Sequence, residues 1–386
     1  MKLLTGLLLV TSIPAFANAP KHTGELLYQV KESFLKSKDL SEIQVYRPHN
    51  KADIADIKQK MIDSGKYEFV EYNTIETNDL RDTGEFDLKN DPNFNTQWQH
   101  RKIETLRAWD TTQGLSETIV AVCDSGVEKD HEDLKGRVLA KGWDFVDRDN
   151  DANPVTSHGT FVAGLIAATA DNALGGAGVA PEVKILPLRI TDENGSTSMR
   201  TITDCIRYAA NAGARVINVS FTGVQSSSVE SAGKYARRKG ALLVYSAGNQ
   251  GQNRSSWPDH KNVLAVGATN SYDTRWTYRT SDNKVGGSNY GYFVDLVAPG
   301  HNMFSTTTYL THNQGSAPYR RGSGTSYSAP IASAVAALIF SVNPSLTPDE
   351  VEEIMINSCD KIGDQYYFGA GRVNAYQAVK LALKTL

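Results

Sequence analysis

Residues 118–127 read TIVAVCDSGV, and this stretch decides the fold class. The run from Ile119 to Cys123 is apolar on both faces, which is typical of a strand inside a parallel sheet covered by helices. Asp124 ends the strand, and Ser125-Gly126 follows as a tight turn. A carboxylate at the carboxyl end of such a strand lies where parallel sheets collect ligands and chemistry.

The same alternation of strand and helix continues along the chain from about residue 97 to 386. We therefore predict an α/β fold with a mostly parallel central sheet covered by helices. Further β-rich runs are VKILPLRI (183–190), ARVINVSF (214–221), ALLVYSAG (241–248), NVLAVGAT (262–269) and YFVDLVAPG (292–300). Helical stretches are SHGTFVAGLIAATA (157–170), MRTITDCIRYAANAG (199–213), VESAGKYARRKG (229–240) and SYSAPIASAVAALIFSV (326–342).

Length, charge and cysteine content limit the function classes. With 386 residues and 40% hydrophobic content, the chain can bury a sizeable core. The formal net charge is −3 and basic residues form no stripe, so nucleic acid is not an expected partner. Three cysteines allow at most one disulfide and leave at least one thiol unpaired. We interpret Cys123 and Cys205, which lie in apolar runs, as small buried hydrophobic residues.

Residues 1–19 have the pattern of an export signal. Lys2 supplies a positive start, Leu3 to Val10 is a short apolar stretch, and Ala17-Asn18-Ala19 is a small-x-small cleavage pattern. The apolar stretch is shorter than the roughly 20 residues that span a bilayer. No later segment is expected to span one. We predict a secreted or periplasmic protein without membrane contact after signal removal.

A small charged unit precedes the main domain. Residues 20–80 contain strand-like runs at 25–34, 42–48 and 66–76, and a helical pattern at 51–65. About sixty residues make a marginal fold on their own. The polar segment 81–96 is expected to be an exposed linker, open to cutting, and 97–386 to be the catalytic domain.

Three residues suited to nucleophilic catalysis stand at special places in this pattern. Asp124 ends a strand, His158 opens an apolar helix, and Ser326 lies where a glycine-rich turn enters another apolar helix. Each has an ordinary structural alternative, namely a turn aspartate, a structural histidine and a helix cap. Together they supply a nucleophile, a base and a carboxylate that orients the base. Asn249 adds an amide that can donate to a developing oxyanion.

Four sequence blocks then carry a family resemblance. They are VCDSGV (122–127), SHGTFVAG (157–164), SAGNQG (246–251) and GTSYSAP (324–330). These blocks resemble the signatures of the subtilisin-like serine proteases, and their order of Asp, His and Ser is that of subtilisin. The resemblance extends from about residue 90 to the end of the chain. It implies the three-layer subtilisin-like fold and a serine endopeptidase that works through an acyl-enzyme.

The resemblance also implies roles for particular residues. Asp124 would orient His158, His158 would act as general acid and base, and Ser326 would be the nucleophile. Asn249 and the backbone N–H of Ser326 would form the oxyanion hole. Polypeptides would be the substrates, and no cofactor would be required for the chemistry. The unit 20–80 would be an inhibitory propeptide, an intramolecular inhibitor removed by the enzyme itself between about residues 75 and 90, although a permanent accessory domain remains an alternative.

An extended substrate would lie as an added strand between two backbone edges. One edge would come from ENGSTS (193–198) and the other from SFTG (220–223). Because the pocket residues are neutral, we expect apolar or neutral side chains, not Lys or Arg, before the cut bond. The substrate-binding residues implied are Gly195, Ser196, Ser220, Phe221, Thr222, Gly223, Ser246, Ala247 and Gly248.

Some positions depart from the usual family pattern without removing a catalytic group. Thr222 replaces a common glycine and is expected to narrow the pocket. Tyr327 and Ile331 replace the more familiar Met and His after the nucleophile, and Phe161 alters a packing position beside His158.

Calcium is the one metal that the resemblance suggests. Oxygen ligands would come from Asp133 in KDHEDL (129–134) and from Asp171 and Asn172 in the loop ADNALGGAG (170–178). A solvated Asp/Asn turn explains the same residues equally well, so both interpretations stay open.

Two other functions compete with the protease hypothesis. An α/β-hydrolase esterase would need a G-x-S-x-G elbow and the order Ser, acid, His, whereas Ser328 stands where its second glycine would be. A catalytically silent binding scaffold would usually lack one catalytic group, and all four are present here.

Overall fold

The computed structural model describes residues 22–30, 44–46, 54–64, 66–74, 90–279, 285–309 and 318–386. The chain divides into two compact units, Met1–Glu85 and Phe86–Leu386. The predicted signal peptide at 1–19 and most of the predicted linker lie outside the described residues. The predicted domain limits therefore stay a prediction.

In the residues that the structure describes, the first unit contains a small antiparallel sheet and one helix, as the sequence patterns predict. Its strands pair in the order β2-β1-β3. The elements are β1 (His22–Val30), β2 (Gln44–Tyr46), α1 (Ile54–Asp63) and β3 (Tyr67–Thr74).

The second unit is built on a seven-stranded sheet in which every neighbouring pair is parallel. Its central strands are buried almost throughout, which explains their continuous apolar sequence. The strands are β4 (Ile119–Asp124), β5 (Trp143–Asp144), β6 (Lys184–Arg189), β7 (Val216–Val219), β8 (Leu242–Ser246), β9 (Leu264–Thr269) and β12 (Leu296–Pro299).

The strand order shows at which strand of the sheet a ligand site is expected. The order β12-β9-β8-β7-β4-β6-β5 puts β4 between β6 and β7, so the chain changes direction at β4. Ligands of open α/β sheets bind outside the carboxyl ends of strands at such a switch point. Asp124 is the last residue of β4, and Ser220 follows β7 directly.

Helices cover both faces of the sheet and complete three layers. On one face α4, α7, α8 and α10 contribute to one apolar core, and on the other α5 and α6 contribute to a second. The helices are α2 (Trp98–Lys102), α3 (Thr105–Trp109), α4 (His158–Ala167), α5 (Met199–Asn211), α6 (Ser227–Arg238), α7 (Thr325–Val342), α8 (Pro348–Asn357), α9 (Gln365–Phe368) and α10 (Ala375–Leu383).

Two short antiparallel pairs complete the unit. The pair β13–β14 lies beside the start of α7, since β14 ends at Gly322 and α7 begins at Thr325. The strands are β10 (Thr277–Arg279) with β11 (Val285–Gly287), and β13 (Met303–Thr306) with β14 (Tyr319–Gly322).

The helix α7 is the central element of the larger core. Its 18 residues are long and apolar enough to cross a membrane by composition, which the sequence analysis did not expect of any segment after the signal. In the folded protein, however, 89% of that stretch is buried, because it packs against β4, β7, β8, β9 and β12. Its apolar character is explained by burial in the protein.

A disulfide joins Cys123 in β4 to Cys205 in α5. The two residues are fully buried, as the sequence indicated. The sequence leaves open whether any two of the three cysteines pair, and the structure pairs these two. Sequence alone could not pair them, because they become neighbours only when α5 packs against β4. Cys359 is the free thiol.

Candidate active site

Asp124 is fixed at the carboxyl end of β4 by the turn that follows it. Its side chain is fully buried, and Oδ1 accepts the Ser125 backbone N–H at 2.7 Å. Ser125 Oγ in turn accepts the N–H of Gly159 at 3.0 Å and ties the turn to α4. A Cβ on Gly159 would lie 2.2 Å from Gly126 O, so only glycine lets α4 approach this closely.

His158 is the first residue of α4 and faces Asp124. Its Nδ1 lies 2.8 Å from Oδ1 and 3.0 Å from Oδ2 of the carboxylate. A carboxylate accepts here, so Nδ1 carries the proton and Nε2 is left as the basic nitrogen. Burial lowers the pKa of His158. The charge and hydrogen bond of Asp124 together raise it by more than burial lowers it, so the net pKa is above the ordinary 6.5.

Ser326 is the second residue of α7, where its backbone N–H has no partner within the helix. Its Oγ donates to the Ser220 carbonyl oxygen at 3.2 Å, and the Ser220 hydroxyl donates to the Ser326 carbonyl at 2.9 Å. The nucleophile candidate is thus tied to the end of β7. In this rotamer the hydroxyl is directed to Ser220 and not to His158.

Asn249 follows β8 and is oriented by Thr325. Its Oδ1 accepts both the backbone N–H of Thr325 at 2.9 Å and the Thr325 hydroxyl at 2.7 Å. With the oxygen held in this way, the amide Nδ2 is left to donate on the other side. Nδ2 lies beside Gly324, within 3.4 Å of where a Cβ on that glycine would be. A side-chain N–H and the N-terminus of α7 therefore meet next to Ser326.

Aromatic and basic groups surround His158. The Tyr327 and Phe161 rings pack together with centroids 4.3 Å apart, and the Tyr327 ring lies 5.7 Å from the His158 ring. Arg320 stacks over Phe161 at 4.9 Å and donates to the Tyr327 hydroxyl at 3.4 Å. Its positive charge disfavours the imidazolium and offsets part of the rise in the His158 pKa.

A cavity of about 220 Å³ lies between the chain segments that follow β7 and β8. Gly248, with φ +94°, has a backbone that other residues rarely adopt, and a Cβ there would lie 2.6 Å from Asn289 Nδ2. Ser220 and Phe221, also predicted to bind substrate, lie next to the lining residues. The Ser220 hydroxyl donates to the Ser326 carbonyl, and the hydroxyl of Ser246, a lining residue, donates to the Phe221 carbonyl. The lining residues are Thr222, Gly223, Val224, Gln225, Ser246, Ala247, Gly248, Gln250, Arg254 and Trp257.

The segment 192–196 forms a compact turn after β6. Asp192 accepts the backbone N–H groups of Asn194 and Ser196 through its side chain and that of Gly195 through its carbonyl. Gly195 has φ +74°. The predicted substrate residues Gly195 and Ser196 are therefore held in a closed loop rather than in a strand.

The candidate calcium residues are brought together only in part. Asn172 Nδ2 donates to Asp133 Oδ1 at 2.8 Å, whereas the Asp171 carboxylate accepts from Asn90 instead. Asp133 Oδ2 is buried and has no hydrogen-bond partner among the described residues, and burial raises the pKa of Asp133 to about 7. In the described part of the chain, no group of three or more His, Cys, Asp or Glu side chains is arranged to hold a metal.

Sequence reasoning missed three residues that shape these sites. Asp91, placed in the predicted linker, is buried and accepts the backbone N–H groups of residues 171, 172 and 173. Thr325 orients Asn249, and its place before Ser326 in GTSYSAP was the available signal. Arg254 lies in a polar loop whose sequence gives no sign that it lines a cavity.

Comparisons with known proteins agree with this geometry. The family model described as the subtilase family matches residues 116–371. A thermophilic serine proteinase from Bacillus sp. (strain AK1) is 41% identical over 73% of this chain and 67% of its own length. Thermitase from Thermoactinomyces vulgaris is 39% identical over 75% of this chain and 99% of its own. A solved structure of a protease from Pseudoalteromonas arctica PAMC 21717 matches with a TM-score of 0.64 at 30% identity, covering 76% of this chain and 99% of that one. With more than half of its length matched by the family model, this chain belongs to the subtilase family and is a serine endopeptidase.

Proposed function

We propose that Asp124, His158 and Ser326 are the catalytic triad of a secreted serine endopeptidase made as a self-processing precursor. The observation that carries the proposal is the pair formed by the buried Asp124 carboxylate and His158 Nδ1 at 2.8 Å. This pair leaves Nε2 free to act as a base at the switch point of the sheet. Ser326 lies at the N-terminus of α7, beside the Asn249 amide.

The residues divide the reaction between them. Ser326 Oγ attacks the peptide carbonyl as Nε2 of His158 takes its proton, and Asp124 stabilises the imidazolium that results. His158 then gives the proton to the departing amine, which leaves an acyl-enzyme. Water repeats the sequence, with His158 again the base, and releases the carboxylic acid and the free serine.

Asn249 Nδ2 and the Ser326 backbone N–H would donate to the oxyanion. Both donors are oriented before substrate binds. Thr325 holds Asn249 Oδ1 with two hydrogen bonds, and the Ser326 N–H belongs to the first turn of α7. Donors arranged in advance stabilise developing charge without reorganisation during the reaction. The long α7 adds the positive end of its dipole at the same point.

The substrate would bind as an extended strand along residues 220–223, with one side chain in the cavity that follows β7 and β8. The cavity wall is mostly neutral, and the lining residues that the structure describes include no carboxylate to hold a basic side chain. We propose apolar or neutral residues, and not Lys or Arg, before the cut bond.

Export and self-processing complete the proposal. Residues 1–19 would direct export, for which the Cys123–Cys205 disulfide is a second argument, because disulfides persist in oxidising compartments. The first unit would be the propeptide, an intramolecular inhibitor cut off between about residues 75 and 90. The first unit is too short to be very stable when it folds separately from the catalytic domain.

Calcium is proposed as a structural ion that takes no part in the reaction. Asp133 and Asn172 would hold it together with oxygens of the loop 170–178. The burial of the Asp133 carboxylate supports this, because a buried carboxylate is costly unless a cation or proton compensates it. Asp91 would act indirectly by fixing the loop backbone.

Mass spectrometry after incubation with a denatured protein tests the function. Wild type and a Ser323→Ala control should lose the first unit and digest the protein, while Ser326→Ala should stay full length and inert. Ser323 accepts the Asn302 N–H and lies outside the proposed catalytic residues. Ser323→Ala therefore makes the same chemical change as Ser326→Ala but leaves the proposed nucleophile in place. Maturation and digestion by Ser326→Ala would overturn the assignment. Full-length, inert wild type would favour the silent scaffold.

A further inference from the structure

Arg254 introduces a positive charge into a cavity that otherwise has neutral walls. Ten of the described residues line the cavity, and Arg254 is the only charged one among them. The other polar lining groups are hydroxyls and amides, and one of these, Gln250 Oε1, already accepts from Asn289 at 2.7 Å. The electrostatic character of the cavity therefore depends on this one guanidinium.

The arginine is held in place rather than free in solvent. Its backbone N–H donates to Tyr290 O at 2.8 Å, and its carbonyl accepts the Trp257 N–H at 2.8 Å. The guanidinium stacks over the Trp257 ring at 4.8 Å, and that ring packs against Phe293 at 5.1 Å. A cation fixed against an aromatic wall loses little further freedom when it binds an anion.

The charge of Arg254 is not balanced by the protein itself. Within residues 90–279, 285–309 and 318–386, no carboxylate lies within salt-bridge distance of it. Its Nε is buried and has no hydrogen-bond partner among those residues. The guanidinium therefore brings a positive charge that a ligand with a carboxylate would balance.

From this geometry we propose that Arg254 is a specificity-determining residue that lets the cavity take a glutamate side chain before the cut bond. This inference rests on the proposed function and widens the substrate range proposed there, because it adds one acidic side chain to the apolar and neutral ones. A carboxylate is the matching group because the guanidinium offers a planar fork of donors. The same charge repels Lys and Arg side chains, which strengthens the expected exclusion of basic residues.

The test uses mature enzyme and peptides that differ only at the residue before the cut bond, which is Leu, Gln, Glu or Lys. Gln and Glu have the same shape, so the ratio of their kcat/KM values isolates the charge. In wild type we expect Glu to be cleaved at least as well as Gln, with Lys far below both. Arg254→Gln should lower the Glu/Gln ratio about 10- to 100-fold, the effect of one hydrogen bond to a charged group.

Controls separate a charge effect from damage to the fold. Arg254→Lys should keep much of the Glu/Gln ratio, and Arg238→Gln, which removes an exposed arginine on α6, should leave it unchanged. Cleavage of the Leu peptide reports folding of every variant. If Arg254→Gln fails to fold, the wild-type ratio at rising salt replaces it, because screening should lower the ratio while Leu cleavage stays constant.

The outcomes are distinguishable. A Glu/Gln ratio that is unaffected by Arg254→Gln, or a wild type that cleaves Glu far worse than Gln, would overturn the role of Arg254 while leaving the protease intact. Failure of wild type to cleave any of the four peptides would instead reject the proposed function, and this inference with it.

Discussion

The disulfide between Cys123 and Cys205 is expected to be a large single contribution to the stability of the catalytic unit. The two cysteines are 82 residues apart, so the bond removes a large loop from the unfolded chain. The chain-entropy relation for a loop of this length gives about 4.5 kcal/mol at room temperature. A whole domain is stable by only about 5–15 kcal/mol, so most of that margin depends on the bond.

Urea unfolding measures this contribution. The experiment uses Ser326→Ala protein, so that self-digestion does not compete with unfolding, and compares it with the same protein carrying Cys123→Ala and Cys205→Ala. The free energy of unfolding should fall by about 4 kcal/mol or more, because lost packing adds to the entropic term. Cys359→Ala is the control, since it removes a thiol that bridges nothing.

Two results would refute this reasoning. A fall of less than about 1 kcal/mol would mean that the unfolded chain is not restricted as the entropy relation assumes. Titration of three reactive thiols instead of one, in denaturant without reductant, would mean that the bond is absent.

The remaining predictions concern the active site and the metal. Asn249→Ala should lower kcat by about 10²–10³-fold with little change in KM, the loss measured for the equivalent donor of subtilisin; a change of less than about threefold in steady-state kinetics would remove Asn249 from the oxyanion hole. His158 must be neutral to act as a base, so kcat/KM should rise with pH through its raised pKa, placing the acid limb above 6.5. Arg320→Gln removes a charge that lowers this pKa and should move the limb to higher pH, whereas an unmoved limb in the pH profile would show that Arg320 does not act on His158. A chelator should lower the Tm of Ser326→Ala protein measured by circular dichroism, and Asp133→Asn should abolish that response; an equal response in the variant would exclude Asp133 as a ligand.

The sequence predicts the central sheet well because its strands are buried on both faces. In β4, β7, β8 and β9, a short apolar run indicates burial by itself. The strand can therefore be predicted without knowing which strands and helices pack against it. Asp124, His158, Asn249 and Ser326 could be named for a related reason, since each lies where a strand or helix begins or ends.

What the sequence could not give depends on contacts between distant segments. Cys123 meets Cys205 only because α5 packs on β4. Asp91 stands in a polar run that is typical of a linker, yet it is buried against the loop at residue 171. Arg254 has the sequence setting of a solvent-exposed loop residue, yet its backbone bonds to Tyr290 and Trp257 hold it at the cavity. The role of such residues can be recognised only when the residues that contact them in the folded protein are known.

The buried position of α7 has a consequence for when the protease can first act. Ser326 lies 202 residues after Asp124, and α7 becomes a core helix only by packing against five strands made before it. Contacts so distant in sequence form late in folding, because long loops must be closed first. A chain that is still being synthesised therefore carries Asp124 and His158 before Ser326, the proposed nucleophile, can join them. Peptide-bond hydrolysis should therefore begin only after the segment that carries Ser326 has been made and α7 has packed into the core.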